Sequence, residues 1–351
     1  MASHDKPICV TGANGFIAGH IVELLLREGH TVHATVRDPS NAKNRFLLNI
    51  ADRVGASANL RIFKADLLAE KSFDEAVKGC GVVIHAAAVV VLRVDDPVND
   101  LIKPCVVGVE NVVGACLRHN VPKLVYTSSV GTIACHDDFR PLHLRGTPFT
   151  EEMWLTHTTP TYASYNYAKI AAERRLNEMW PQDRKLVSIL PSWCVGPQQN
   201  DQVTTSNQVI KLVANKETPL LPRLYFDMVD VRDVARAHVL AATTDMFPNG
   251  RYNVSGNRNN SLSTVAEMMN AAVPGLNSTT RMAPYALLWL KSWVDKRIST
   301  QMLRERTEQW APISNEKVRQ AGFTYRYTNL VESLRDAVDS FRTYGIIQDS
   351  K

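Results

Sequence analysis

The run Ile8-Cys9-Val10-Thr11-Gly12-Ala13-Asn14-Gly15-Phe16-Ile17-Ala18-Gly19 decides the fold. Residues 7–10 are a short apolar run and read as a strand. From Phe16 the pattern changes: Ile17, Ile21, Leu24 and Leu25 recur at helical spacing, and Gly29 suits the helix end. Between strand and helix lies a glycine turn. Gly12 permits a tight bend, and Gly15 lets the backbone approach a pyrophosphate. The helix N-terminus then offers N–H groups and the positive end of its dipole. Asn14, Phe16 and Ile17 share this loop and are expected to touch the same group. Ala18 takes the helix–strand packing position, where a methyl group is tolerable.

Outward from this unit the alternation continues. Residues 31–36, 61–64, 82–86, 123–128 and 186–190 read as further strands. Residues 72–78, 98–119 and 162–180 read as helices between them. Near-continuous apolar strands alternating with helices imply an α/β doubly wound parallel sheet, with its ligand crevice at the carboxyl ends of the strands. After Pro191 the regularity falls, and 226–231 and 252–254 read as strands with a helix over 234–243 between them. Helices are expected over 263–272, 285–310 and 330–344. The expected division is a dinucleotide-binding domain over 1–190, with 226–255 returning to it. A smaller, mostly helical substrate domain takes 191–225 and 256–351.

Bulk composition excludes several classes. The chain has 351 residues, 45% hydrophobic and 21% charged, which is ordinary for a globular protein. A net charge of +5 without a basic run argues against a nucleic-acid partner. The six cysteines form no C-x-x-C pair and no zinc spacing, so they read as reduced thiols in a cytoplasmic protein. No metal site is expected; His136-Asp137-Asp138 reads as a solvated loop. No leader or apolar segment of membrane-spanning length is seen. The apolar residues of 285–294, among them Trp289 and Trp293, read as a core-facing helix or a lid over an apolar pocket.

Three further groups carry chemistry. Arg37 ends the second strand, where NAD-binding folds usually place a carboxylate for the ribose hydroxyls. An arginine there suits a 2′-phosphate, and Lys43 adds charge. Asp38 follows at once and is the competing carboxylate. Tyr165 and Lys169 stand four apart on one helix face. A phenol ionises near pH 10, and an adjacent ammonium favours the phenolate. Thr127-Ser128-Ser129 ends the fifth strand, with hydroxyls at the crevice.

In this order the motifs resemble the extended short-chain dehydrogenase/reductases, in the branch of dihydroflavonol reductases and cinnamoyl-CoA reductases. The resemblance runs through Val36-Arg37-Asp38-Pro39, His85-Ala86-Ala87-Ala88, Ser128-Ser129-Val130-Gly131-Thr132 and Asp230-Val231-Arg232-Asp233 to Ala321-Gly322-Phe323. It implies a catalytic set of Ser129, Tyr165 and Lys169. It places Asp66 and Leu67 at the adenine, Ala86, Ala87 and Ala88 along the cofactor, and Pro191, Cys194 and Val195 near the nicotinamide. Ser128 is expected to hold the nicotinamide end. Val90, Thr132, Trp193 and Tyr225 are the expected substrate contacts. The implied activity is NADP(H)-dependent reduction of a carbonyl on a small aromatic or hydrophobic molecule, by a monomer or homodimer. The alternatives are a nucleotide-sugar epimerase or dehydratase, a sterol or steroid dehydrogenase, and a non-catalytic NADP sensor. Ala134 stands where plant dihydroflavonol reductases tend to carry asparagine. The stretch Ala163-Ser164-Tyr165-Asn166-Tyr167-Ala168-Lys169 also departs from the cinnamoyl-CoA reductase pattern. A generic carbonyl reductase fits both departures.

Overall fold

The computed structural model describes residues 6–90, 94–134, 146–217, 219–293 and 311–347. The elements run β1 (Ile8–Thr11), α1 (Phe16–Arg27), β2 (Val32–Val36), α2 (Arg45–Arg53), β3 (Leu60–Lys64), α3 (Asp74–Val77), β4 (Val82–His85), α4 (Lys103–Arg118) and β5 (Lys123–Thr127). They continue as α5 (Ser164–Met179), β6 (Lys185–Pro191), β7 (Trp193–Val195), α6 (Thr205–Ala214), β8 (Tyr225–Asp230), α7 (Val231–Thr243) and β9 (Gly250–Val254). The described remainder holds β10 (Asn259–Ser261), α8 (Leu262–Ala272), α9 (Tyr285–Ser292), α10 (Glu316–Gln320) and α11 (Leu330–Thr343).

Seven strands form one parallel sheet in the order β3-β2-β1-β4-β5-β6-β9. The order reverses at β1 and β4, which is where doubly wound sheets open a crevice. Strands β1, β2, β4 and β5 are buried along their whole length, which is why they read as mostly apolar and β-branched runs. One core cluster packs α1, α2 and α7 on one face of the sheet. A second packs α4 and α5 on the other. A third lies between α6, α8, α11 and the small sheet β10-β8-β7. Thus β9 returns to the large sheet, whereas β8 pairs with β7 and β10 instead.

Three helices fall outside the sequence expectation. Helix α2 occupies a stretch that reads as loop, α6 lies inside the proline-punctuated region, and α10 lies between the helices expected near the C-terminus. Helix α5 starts at Ser164, after Ala163 takes a left-handed conformation, so Tyr162 stands outside it. For the helix expected over 285–310, residues 285–292 are helical and 294–310 lie outside the described residues. The core-facing reading of that helix is corrected: Leu288 is buried, but Leu287, Leu290 and Trp293 are 47%, 57% and 68% exposed. The His136-Asp137-Asp138 loop and Cys135 also lie outside the described residues. Cys9, Cys80, Cys105, Cys116 and Cys194 are free and buried.

Two histidines lock the strand ends beneath the crevice. His85 at the end of β4 shares a 2.8 Å hydrogen bond with the Thr11 hydroxyl. His238 on α7 does the same with Thr127, and its Nδ1 donates to the Val234 carbonyl, each at 2.8 Å. Burial, helped by the charge of Lys169, lowers His85 to about 3 and His238 to about 4. Neutral in the fold and basic when unfolded, each stabilises the protein fully above its ordinary value of 6.5. That stability is lost as pH falls toward the lowered values, at about 1.4 kcal/mol per pH unit for each. The urea midpoint should therefore drop on acidification below pH 6.5, and less steeply in His85→Gln. Equal slopes in wild type and variant would contradict this.

Candidate active site

The glycine loop is set by close approach. Gly12 has φ +62°, and a Cβ there would lie 2.8 Å from the Cα of Ala87 and 2.9 Å from its Cβ. The Thr11 hydroxyl accepts from the Ala87 N–H at 3.1 Å, holding the two strand ends together. Gly15 N–H donates to the Gly12 carbonyl at 2.8 Å and closes the turn before α1. Gly12→Ala combines a left-handed φ with overlap, and should destabilise the fold by about 2–4 kcal/mol. Denaturant titration measures it, and an unchanged midpoint would contradict the close-approach account.

In front of this loop lies a cleft of about 190 Å³, lined by Asn14, Gly15, Phe16 and Phe46 and, opposite them, by Gln198–Asn200 and Gln202–Thr204. No side chain caps the N-terminus of α1, and its first turn holds no carboxylate. The buried amide nitrogens of Gln198 and Gln202 have no partner among the described residues. Uncapped backbone N–H groups facing unpartnered amide donors suit a pyrophosphate. Ile17, half-buried, continues the helix from this cleft.

Beyond the cleft, Asn14 donates to Asn44 at 2.9 Å, and Asn44 donates to the Asp38 carbonyl at 2.7 Å. This buried asparagine, which the sequence reading missed, ties the glycine loop to the end of β2. Arg37 and Lys43 are exposed. The Asp38 carboxylate is engaged by Ser40, whose N–H donates at 3.0 Å and whose hydroxyl donates at 2.6 Å. Those two bonds hold Asp38 below the ordinary carboxylate range. An engaged carboxylate beside two open cations suits a 2′-phosphate. Asp66 and Leu67 follow β3. The Asp66 carboxylate accepts from the Leu68 N–H at 2.8 Å, and Leu67 packs on Gly108 of α4.

The chemical end lies where β5 meets α5. Ser129 Oγ accepts from the Gly131 N–H at 3.0 Å, which leaves its own proton free to donate. Burial raises the Tyr165 phenol to about 12, and the nearby Ser129 hydroxyl opposes that rise. The Lys169 ammonium is buried and donates to the Thr127 carbonyl at 2.8 Å. Burial lowers its own value, against the charges of Cys105 and Glu173. The expected lowering of the phenol by Lys169 is thus corrected: in this arrangement the lysine serves Thr127 and desolvation governs the tyrosine.

A model of the NAD dependent epimerase/dehydratase family matches residues 8–255. The chain belongs to this family. Among its relatives is the tetraketide alpha-pyrone reductase 1 of Arabidopsis thaliana, 34% identical over 77% of this chain and 82% of that one. A putative anthocyanidin reductase of Ginkgo biloba is 30% identical over 99% and 97%. The crystal structure of Gre2 from Candida albicans in complex with NADPH superposes with a TM-score of 0.76, at 26% identity over 97% and 99% of the two chains. The chain is therefore an extended short-chain dehydrogenase/reductase with the sheet expected of that family.

Against this family frame the remaining expected residues divide. Ala86, Ala87 and Ala88 are half-buried beside the glycine loop. Pro191, Cys194 and Val195 are buried, and the Val195 side chain lies inside the third core cluster. Ser128 does not turn its hydroxyl to the crevice; it donates to buried Glu173 at 2.5 Å. Thr132 is corrected as a substrate contact. It is fully buried, and its hydroxyl donates to the Ser129 carbonyl at 2.8 Å and accepts from Arg251 at 2.5 Å. Trp193 rests on Phe226, ring centroids 4.6 Å apart, and donates to the Ser206 carbonyl. Val90 is 51% exposed, and its carbonyl accepts from Thr205. Tyr225 lines a separate cleft of about 430 Å³ with residues 257–261, Thr264 and Pro312, a cleft that Trp193 and Val90 do not line.

Proposed function

We propose that the chain is an NADPH-dependent reductase of an aldehyde or ketone carbonyl on a small aromatic or hydrophobic substrate. The observation that carries this reading is the gathering of Ser129, Tyr165 and buried Lys169 at the carboxyl end of β5. When bound, NADPH supplies the hydride taken up at the carbonyl carbon. Tyr165 gives its phenolic proton to the carbonyl oxygen as charge develops there. Ser129 donates a hydrogen bond to the same oxygen and stabilises that charge. Lys169 is the residue proposed to hold the nicotinamide ribose. Arg37 and Lys43 are proposed to take the 2′-phosphate, with Ala86–Ala88, Asp66 and Leu67 along the nucleotide. The exposed cations Arg37 and Lys43 at the end of β2 support NADP over NAD. The names of the relatives support reduction over epimerisation.

Residues 191–225 and 256–351 are proposed to face the substrate, and the chain to act as a monomer or homodimer in the cytoplasm. Among the described residues no helix is long and apolar enough to cross a membrane.

The test is NADPH oxidation by purified protein over aromatic aldehydes, ketones, dihydroflavonols and CoA thioesters, with NADH in parallel. Turnover with a carbonyl, faster with NADPH, is the expected result. Tightly bound NAD and no turnover with any carbonyl would replace this reading with the epimerase one.

A further inference from the structure

We infer that Glu173 and Arg251 form a buried positioning pair that fixes the segment carrying Ser129, so that its hydroxyl meets Tyr165. This rests on the reductase reading above. Glu173 lies one helical turn beyond Lys169 and two beyond Tyr165, with no exposure to solvent. It accepts from the Ser128 hydroxyl at 2.5 Å and from Arg251 Nε at 3.1 Å and Nη2 at 3.4 Å. Arg251 comes from β9, across the sheet from the crevice-forming strands. Its Nη1 donates to the carbonyls of Glu151 at 2.7 Å and Met153 at 2.9 Å, and its Nη2 to Thr132 Oγ1 at 2.5 Å. Its guanidinium lies 3.7 Å from the centroid of the Trp154 ring.

The network grips Ser129 from both sides. The residue before it is held by Glu173 through the Ser128 hydroxyl. Its own carbonyl is held by Thr132, which Arg251 holds in turn. A buried ion pair is weak evidence for stability, because apolar packing of the same volume often serves as well. This pair is hydrogen-bonded to Ser128, Thr132 and the Glu151 and Met153 carbonyls and converges on one turn of backbone, the turn that presents the catalytic hydroxyl. Glu173 is fully buried and Arg251 nearly so, and both reach Ser129 through its neighbours Ser128 and Thr132. A planar five-donor group is required, since lysine cannot bridge four acceptors at once.

The test is a double-mutant cycle on the full-length protein with a carbonyl it reduces. Arg251→Lys keeps the charge and loses the bridge; it should lower kcat by about 10- to 100-fold, the scale of a small misplacement, with KM for NADPH little changed. Ser129→Ala should lower kcat by about 10²- to 10³-fold. In the Ser129→Ala background, Arg251→Lys should cost nothing more. Additive losses, or full kcat in folded Arg251→Lys, would overturn the inference. Should Arg251→Lys lose its thermal transition, Thr132→Val takes its place with the same readouts, and Thr132→Ser should restore activity. Failure of Thr132→Val to lower kcat would also overturn it. Wild type that reduces no carbonyl removes the reductase reading and this inference together, an outcome distinct from additivity in an active enzyme.

Discussion

Tyr165→Phe is expected to lower carbonyl turnover by about 10²–10⁴-fold while leaving NADPH affinity unchanged. The substitution deletes one oxygen and leaves the ring. Ser129 keeps its acceptor bond from Gly131, so the pocket wall stays in place. Lys169 keeps its bond to the Thr127 carbonyl and does not depend on the phenol for its position. What is lost is the phenol beside Ser129. Burial keeps that phenol protonated in the neutral range, so it has a proton to give. Tyr162, outside the helix, cannot replace it. Steady-state kinetics with cofactor titration checks this. A folded variant with undiminished kcat would move the acid elsewhere.

Arg37→Ala is expected to weaken NADPH binding by roughly tenfold to a hundredfold and leave NADH nearly unaffected. A charge-assisted bond to phosphate contributes about 1.5–3 kcal/mol. Arg37 is exposed at the end of β2, so the substitution removes no core contact. The neighbouring Asp38 stays bonded to Ser40, so the variant does not become an NAD-preferring site by default. Freeing that carboxylate as well, with Ser40→Ala in the Arg37→Ala background, should raise NADH affinity. Fluorescence titration with both cofactors reads each outcome. An equal loss for NADPH and NADH would deny Arg37 its role at the 2′-phosphate.

The sheet was legible because its central strands are buried and rich in apolar and β-branched residues. Residues 8–11, 32–36 and 123–127 needed no tertiary knowledge to be read as strands. The glycine loop was legible because a tight turn and a close strand approach both require glycine, and Gly12 against Ala87 meets both. Helix α2 carried a readable signal in Phe46, Leu47, Ile50 and Ala51, all buried on one face. Its shortness and the run of asparagines around it masked that signal. Helix α6 likewise had Ile210, Val213 and Ala214 at helical spacing and a Thr204 cap, hidden among flanking prolines. Strand β8 was readable as a strand but not as a member of the smaller sheet, since pairing partners leave no local trace.

The candidate site divides in the same way. Tyr165, Lys169 and even Glu173 follow a four-residue rhythm along one helix. Arg251 lies 78 residues from Glu173 and enters the network only because β9 returns beside β6. Ser128 looked like a crevice hydroxyl because strand ends point there, and Thr132 was expected at the substrate. The structure turns both inward, onto Arg251 and Glu173, because buried charges must be fully hydrogen-bonded.

The central claim is net hydride transfer from NADPH to a carbonyl carbon with proton delivery by Tyr165. Its most direct measurement uses NADPH deuterated at the transferable position of the nicotinamide, with product analysis by mass spectrometry. The account predicts one deuterium on the carbinol carbon of the alcohol product, formed at a strongly reduced rate by Tyr165→Phe. Label that stays with the cofactor while the substrate is only isomerised would contradict it.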